Sequence, residues 1–215
     1  MNWLHIGANQ HSTEIEQKCI EVYEALGGDG SNNDVLILSP TKNLNGGVIN
    51  LNCRIHDKFS QGEVVNFNHE EFGDVTHHIS GRALRVGELV MYTRNDYQKD
   101  IRNGSVGKVL AYSHDSVIVD FEGNTTDLSI NELSNLEHAY ALTVHKAQGS
   151  QFERVIVIIK ESRNLDRHLI YTALTRAKKQ VVFVGQRQSM YSGLSVSNAH
   201  KRHTNLPKFL SEQLS

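Results

Sequence analysis

Polar side chains cluster in one segment that follows an apolar stretch of the chain. Thr143, His145, Lys146 and Gln148 lie within six residues and directly precede Gly149. An apolar strand is predicted on either side, and ligands of open α/β sheets bind beyond the carboxyl ends of the strands. The polar side chains could donate hydrogen bonds to a phosphate, and Gly149 would let a ligand approach the backbone. A phosphate site and a polar connector with a helix cap are about equally consistent with these residues alone.

A second segment carries an excess of positive charge. Within residues 163–187, six Lys or Arg residues face a single Asp: Arg163, Arg167, Arg176, Lys178, Lys179 and Arg187 against Asp166. The local formal charge is therefore +5 in a chain whose total is -2. Such a run is more often a solvated surface, but it also suits a polyphosphate or a nucleic acid.

The composition excludes several classes of protein. The chain has 215 residues, of which 39% are hydrophobic and 21% are charged. Its longest wholly apolar run, residues 155–159, is far shorter than the roughly 20 residues of a membrane helix. The first ten residues lack the pattern of a secretory signal, and the two cysteines form no CxxC pair. The twelve histidines show no zinc-type spacing with cysteine, so we predict a cytoplasmic protein with no membrane segment and no metal site.

The usual nucleotide-binding motif is absent from the sequence. No GxxxxGK[ST] occurs, and the one Gly-Lys pair, Gly107-Lys108, is followed by Val109. An acid after four apolar residues can position Mg²⁺, and Asp120 approaches that pattern, but it enters a predicted hairpin turn. We therefore predict that this chain does not hold a nucleoside triphosphate by itself in the usual way.

Apolar patterning predicts an α/β protein. Helices are predicted over residues 13–26, 48–59 and 165–177, and buried strands over residues 34–39, 139–144, 154–160 and 180–185. The first helix carries a capping-box pair, Thr13 and Glu16. Strands that alternate with helices favour a parallel sheet covered on both faces.

A different pattern interrupts this α/β region. Residues 69–81 look like an exposed connector, and short strands with tight turns follow at residues 88–93, 105–112, 116–121 and 125–128. Their size suggests a small SH3-like barrel. The predicted organisation is a linker helix region at residues 1–33, an α/β domain at residues 34–81 and 137–215, and an inserted β domain at residues 82–136.

Several segments together resemble a known family. They are VLILSPTKNLNGGVINLN at 35–52, RVGELVMYTRNDYQKDIRNGSVGKV at 85–109, AYALTVHKAQGSQFERVIV at 139–157, LIYTALTRAKKQVVFVG at 169–185 and KRHTNL at 201–206. In this order they resemble the second motor half of RecD-like superfamily 1 helicases, the exodeoxyribonuclease V alpha subunit family. The resemblance implies a RecA-like domain, of the P-loop NTPase type but without its own P-loop, that carries an inserted SH3-like barrel.

The resemblance assigns the nucleotide side of the site. Arg176 takes the role of the arginine finger, and Tyr171 and Thr172 on the same helix position it. Gln148 and Gly149 lie near the γ-phosphate and couple it to DNA. Gln151 stands where many relatives have a ribose-binding glutamate, and its amide oxygen can still accept a hydrogen bond.

The resemblance also assigns a track for single-stranded DNA. Thr143 and His145 lie on it, together with Lys146, and the strand-end segment Ser39-Pro40-Thr41 faces DNA. Asn95 and Tyr97 match a motif of the inserted domain, as do Asn103 and Gly104, which we interpret as turn residues.

The family motor has two RecA-like halves with ATP and Mg²⁺ between them. The resemblance therefore implies that the chain is the carboxyl-terminal part of a longer 5′-to-3′ DNA helicase of recombination and repair. A missing amino-terminal RecA-like domain would complete the site, and RecBC-type subunits are possible partners. We expect no ATP bound to this chain alone and no activity from it. Two alternatives are a non-enzymatic nucleic-acid or interaction module derived from a helicase half, and part of a conjugative relaxase-helicase.

Overall fold

The computed structural model describes residues 2–5, 12–43, 46–69 and 73–196. The KRHTNL segment at 201–206 lies outside these residues. In chain order the elements are β1 (Asn2–His5), α1 (Ser12–Ala25), β2 (Val35–Ser39), α2 (Val48–Phe59), β3 (Asn66–His69), β4 (Gly73–Thr76), β5 (His78–Ile79), β6 (Arg82–Ala83), β7 (Leu89–Tyr92), β8 (Val106–Tyr112), β9 (Ser116–Phe121), β10 (Asn124–Ser129), a 3₁₀ helix (Ile130–Asn135), β11 (Leu136–His138), β12 (Ala141–Thr143), β13 (Phe152–Ile159), α3 (Arg167–Leu174), β14 (Ala177–Gly185) and α4 (Arg187–Ser195).

The first sheet is parallel, as the apolar runs predict. Its order is β1-β14-β13-β2-β12, and every neighbouring pair is parallel. All five residues of β2 are buried, as are Val155 to Ile159 of β13. Strands that are covered on both faces need such continuous apolar sequences. The mixed α/β fold with a parallel sheet is therefore confirmed.

The first helix departs from the predicted capping box. Glu16 is 5% exposed, and its carboxylate accepts hydrogen bonds from the Gly46 amide (2.6 Å) and from Arg54 Nη1 of α2 (3.2 Å). The carboxylate therefore ties α1 to α2 instead of capping its own helix. Both β1 and α1 pack with the first sheet, where β1 pairs with β14 and Ile15, Cys19 and Tyr23 join the core.

The second sheet is antiparallel, with the order β10-β9-β8-β7-β11. Residues of β9 alternate between half-buried and buried, which is typical of a sheet with one covered face. Phe121 pairs with Asn124, so Glu122 and Gly123 form a two-residue turn. Both have positive φ, +55° and +95°, as a type I′ hairpin requires.

The stretch at residues 69–81, predicted to be an exposed connector, contains strands, although Ile79 is the one buried side chain among those described in it. It forms two hairpins, β3 with β4 and β5 with β6. Val65, Phe67 and Ile79 are buried in the core of the second sheet. Their spacing is too irregular to indicate strands in isolation, because each strand is only two to four residues long. The domain boundaries at residues 33, 81 and 136 stay predictions.

Strand β7 connects the two cores. Leu89 and Met91 belong to the first core, whereas Val90 and Tyr92 belong to the second. Successive side chains of a strand point to opposite faces, so one strand serves both cores. Among the described residues, no helix is both long enough and apolar enough to cross a membrane.

Candidate functional site

The polar segment lies at the carboxyl edge of the parallel sheet. Thr143 ends β12 and pairs in register with Ser39, which ends β2. Beyond Thr143 the chain makes tight turns, in which the Ala147 amide donates to the Thr143 carbonyl and the Gln148 amide donates to the His145 carbonyl, both at 3.2 Å. The side chains of His145 and Gln148 are exposed. This edge is where the fold predicts a ligand.

Gly149 gives the turn its shape and leaves open space beside it. Its φ is +94°, a backbone conformation that side chains other than glycine rarely adopt. No atom lies within 4 Å of the position that a Cβ would take. A ligand could therefore reach the backbone here, as the sequence predicts.

Arg176 lies directly beside this turn. Its Nη1 donates to the carbonyls of Ser150 (3.2 Å) and Ala147 (3.5 Å), which flank Gln148 and Gly149. Its Nε donates to the carbonyl of Thr172 at 3.2 Å. No carboxylate forms a salt bridge with Arg176 within the described residues. The half-buried guanidinium therefore keeps its positive charge unneutralised at the strand ends.

Helix α3 fixes the position of this arginine. Asp166 begins the helix by accepting a hydrogen bond from the Leu169 amide at 2.8 Å. Leu169, Ile170 and Ala173 are buried against the sheet. The helix ends at Leu174, three residues earlier than predicted, so Arg176 lies in the turn before β14. This turn lets Arg176 reach back to its own helix and across to the polar segment.

The other residues predicted on the nucleotide side lie in two places, on helix α3 and around an open cavity. Thr172 is half-buried, and its carbonyl holds Arg176, whereas Tyr171 is 68% exposed on the outer side of α3. Gln151 and Gly149 line an open, polar cavity of about 540 Å³, together with Asp34, Glu122, Glu153 and other residues. At the rim of this cavity, a hydrogen bond from Lys179 holds the pKa of Glu153 below its usual value.

The structure joins the polar segment to the second sheet. Lys146 Nζ donates to Asn103 Oδ1 at 2.5 Å, and the backbone N–H of Asn103 donates to Asn95 Oδ1 at 2.9 Å. A Cβ on Gly104, whose φ is +100°, would lie 3.3 Å from the Lys146 carbonyl. Three predicted DNA-side positions, Thr143, Lys146 and Asn95, thus form one continuous face together with Asn103.

Asn103 has a larger part in this face than its sequence suggests. The turn interpretation of Asn103 and Gly104 holds for the backbone, but the Asn103 side chain also contacts Lys146. No spacing rule could reveal a contact between residues 43 positions apart. Nor could it reveal the carbonyls of Ala147 and Ser150 that hold Arg176, because every residue has a carbonyl.

The other predicted DNA contacts differ in exposure. Ser39 is fully buried, and its hydroxyl donates to the Gly46 carbonyl at 2.8 Å. Pro40 is buried and Thr41 is half-buried, so this segment shapes the loop after β2 more than it presents side chains. Tyr97, by contrast, is 84% exposed near Asn95.

Comparison with known families places a recognised domain over this site. The family described as the UvrD-like helicase C-terminal domain matches residues 138–184. That range contains the whole polar segment and the Arg176 turn. The solved structure of the Pif1 helicase from Bacteroides, in complex with ADP-AlF3 and single-stranded DNA, superposes with a TM-score of 0.54 at 19% identity. It covers 88% of this chain and 51% of that chain, and at this identity the likeness shows the fold.

Two curated relatives of this chain are proteins of the RecD type. The chain is 38% identical over 180 residues to the ATP-dependent RecD2 DNA helicase of Deinococcus radiodurans, which is 80% of this chain and 23% of that protein. It is 36% identical over 113 residues to the RecBCD enzyme subunit RecD of Mycobacterium tuberculosis, 51% of this chain and 20% of that protein. The chain therefore spans about a quarter or less of these relatives.

Fold, site and sequence agree on the class of protein. Residues 138–184 match the UvrD-like helicase C-terminal domain, and the fold is shared with the Pif1 helicase structure. Within that class its similarity is to the RecD helicases, and the predicted resemblance to their second motor half is confirmed.

Proposed function

We propose that this chain acts as the second motor half of an ATP-dependent 5′-to-3′ DNA helicase of the RecD type. The observation that carries the proposal is the position of Arg176, an unneutralised guanidinium beside Gln148 and Gly149 at the strand ends. A guanidinium in this position stabilises the negative charge that develops on a transferring phosphoryl group. Among the described residues, no carboxylate forms the ion pair with Arg176 that a half-buried arginine commonly makes.

The residues of this edge fit the phosphate end of a nucleotide. Arg176 supplies positive charge, Gly149 leaves the backbone accessible, and Gln148 presents an exposed amide. Bound ATP with Mg²⁺ would supply the phosphoryl group that drives movement. The phosphate-binding loop and the Mg²⁺ carboxylate would come from a first RecA-like domain, because this sequence has no GxxxxGK[ST].

The face shared by the two sheets suits a single strand of DNA. Lys146 offers a positive charge, and Thr143, Asn95 and Asn103 offer hydrogen bonds to phosphate and sugar. The exposed ring of Tyr97 can stack on a base without regard to sequence. We assign His145 to the same face, and the loop of Ser39, Pro40 and Thr41 to its support. The inserted sheet then corresponds to the SH3-like domain of the family.

The wider setting is part of the same proposal. Similarity to RecD proteins favours a role in DNA recombination and repair, with RecBC-type subunits as candidate partners. The two cysteines are free and buried, which suits the reducing cytoplasm. The similarity to helicases does not favour the alternative that the chain is a non-enzymatic binding module.

An ATPase assay of the Arg176→Ala variant tests this proposal. In the protein that carries both motor halves, we expect DNA-stimulated kcat to fall by about 10³ or more, as for other arginine fingers. Arg163→Ala, at an exposed position of the same basic run, is the matched control and should keep its activity. Retained turnover in Arg176→Ala would remove the site assignment. ATP hydrolysis by the purified 215-residue chain alone would show that it needs no second half.

A further inference from the structure

Three buried side chains from distant parts of the sequence converge between the two cores. His56 lies on α2, Glu88 directly precedes β7, and His138 ends β11. His56 Nε2 lies 3.0 Å from Glu88 Oε1, and His138 Nε2 lies 3.3 Å from Glu88 Oε2. All three residues are less than a tenth exposed. The cluster is remote in sequence from the polar segment and from Arg176.

Glu88 needs a positive charge close by. Its carboxylate is only 2% exposed, and within the described residues it pairs with no Lys or Arg side chain. It accepts hydrogen bonds from the Ser60 hydroxyl and from the Arg85 amide (3.1 Å). Burial disfavours an ionised carboxylate, and a metal ion or a protonated histidine beside it would offset the part of that cost which these hydrogen bonds leave.

We propose that His56, Glu88 and His138 bind a divalent transition metal of the zinc type. Two imidazole nitrogens and a carboxylate are a common ligand set for such ions, with bonds of about 2.0–2.2 Å. Tetrahedral bonds of that length place neighbouring ligand atoms about 3.3 Å apart. The 3.3 Å from His138 Nε2 to Glu88 Oε2 matches that spacing, whereas His56 Nε2 lies 3.0 Å from the other oxygen, Oε1; one ligand atom from each residue lies within 4.8 Å of the other two.

The surroundings of the cluster bear on a metal site in two ways. His56 Nε2 lies 3.1 Å from the Ala83 carbonyl, a contact that a bound ion would replace, and a carboxylate lies near the other nitrogen of the ring. Asp57 Oδ1 lies 3.4 Å from His56 Nδ1, on the side of the ring that faces away from Glu88. Carboxylates in this position orient metal-binding histidines. The backbone at His138 is fixed by Asn52, whose Nδ2 donates to the His138 carbonyl at 2.8 Å. A cavity of about 90 Å³, lined by Asn52, Ser80, His138 and others, offers an entry path.

The metal would have a structural role. His56 belongs to helix α2, which packs in the first core. Glu88 directly precedes β7 and His138 ends β11, and both strands belong to the second sheet. A metal bound here would hold the second sheet at a fixed position against the parallel sheet. The sequence analysis predicts no metal site, because 32 and 50 residues separate the ligands and no short spacing motif results.

Metal titration of the 215-residue chain tests this inference. The apo protein, prepared with a chelator and free of any histidine tag, is titrated with Co²⁺ and Zn²⁺. We expect one metal per chain, a visible d–d absorption band for tetrahedral Co²⁺, and a rise in Tm. His138→Gln should weaken binding at least about 100-fold, since even the loss of an orienting partner costs 10–100-fold. His114→Gln, at a side chain 82% exposed, is the control and should bind as the unmodified chain does.

Asp57→Asn leaves all three proposed ligands in place and changes a carboxylate that contacts His56 Nδ1 and pairs with Arg82. The Asp57 side chain is 53% exposed, so the fold should tolerate the change, and we expect Co²⁺ affinity to fall about 10-fold. Absence of stoichiometric metal binding by the unmodified chain would overturn the inference and leave a hydrogen-bonded His-Glu-His network. Equal affinity in His138→Gln and His114→Gln would also overturn it, because the metal would then lie elsewhere.

Discussion

The two sheets of this chain differ in how many of their faces are buried, and this difference determines which residues their strands contain. The parallel sheet is buried on both faces, so β2 and β13 consist of continuous apolar residues. The antiparallel sheet has one covered face, so β9 alternates between half-buried and buried positions. The first arrangement leaves only the strand ends free for polar side chains. The second arrangement also offers its turns, and the proposed DNA face combines the two, at Lys146 and Asn103.

At the end of β14 in the parallel sheet, the backbone of β13 lies so close that no side chain fits. A Cβ at Gly185, which ends β14 at φ +144°, would lie 1.9 Å from the Ile159 carbonyl oxygen. The hairpin turn of the second sheet is open, because nothing lies within 4 Å of a Cβ at Gly123, φ +95°. The same substitution should therefore have very different effects in the two sheets.

We expect Gly185→Ala to lower the free energy of unfolding by about 3 kcal/mol or more, because strained backbone and a backbone clash combine. Gly123→Ala should cost only about 1–2 kcal/mol, from the left-handed conformation alone. Urea unfolding, followed by the fluorescence of Trp3, measures both, since this single tryptophan packs on Phe183 of β14 at 5.5 Å. Equal losses in the two variants would contradict the difference in packing between the sheets.

Most of the regular structure could be predicted because its signals are local. The predicted strand at residues 116–121 has the observed bounds, and the helix predicted at residues 13–26 is shifted by one residue at each end. The strand β1 and the hairpins of β3 to β6 were missed. Strands of two to four residues are too short to show a clear periodicity, and their stability depends on pairing with other strands and on packing in the cores.

The candidate site could be predicted only where its residues are contiguous. The polar segment and the Arg176 turn each occupy one short stretch, and the structure brings them together. The contact of Lys146 with Asn103 and the His56-Glu88-His138 cluster depend on how the second sheet docks. Docking depends on long-range packing through β7, which faces both cores, and no local pattern encodes it.

The shared DNA face gives a test of whether docking matters for function. We expect Lys146→Ala to weaken binding of single-stranded DNA for all sequences and to reduce the salt slope of log K by about 0.7, the value for one phosphate contact. Asn103→Ala should weaken binding less, because it removes a neutral side chain that positions the Lys146 ammonium. Fluorescence anisotropy at several salt concentrations, with matched RNA oligomers, measures these effects.

Lys18→Ala, at an exposed lysine of α1, is the control for overall charge and should leave the salt slope unchanged. If Lys146→Ala and Lys18→Ala behave alike, the face between the two sheets does not bind the strand. Equal affinity for RNA and DNA would remove DNA as the preferred track.

The smallest expected effect concerns an ion pair confined to the second sheet region. Lys99 Nζ lies 2.5 Å from Glu132 Oε1, with both side chains about three-quarters buried. Burial raises the pKa of Glu132, but hydrogen bonds from Lys99 and Ser129 outweigh it and hold the pKa below its usual value. A carboxyl group with a lowered pKa in the folded state stabilises the fold above its unfolded pKa, and the stabilisation is lost as pH falls through the folded value.

We therefore expect Lys99→Met to lower the free energy of unfolding at pH 7 by about 0.2–1 kcal/mol, the usual range for such pairs. The difference from the unmodified chain should shrink as pH falls below the unfolded pKa of about 4.3 and then through the lower pKa of the folded state. Urea unfolding at a series of pH values measures this. A difference that persists unchanged at acid pH would mean that Lys99 acts through the backbone carbonyl of Asp127, which it also contacts at 2.8 Å, and not through the charge of Glu132.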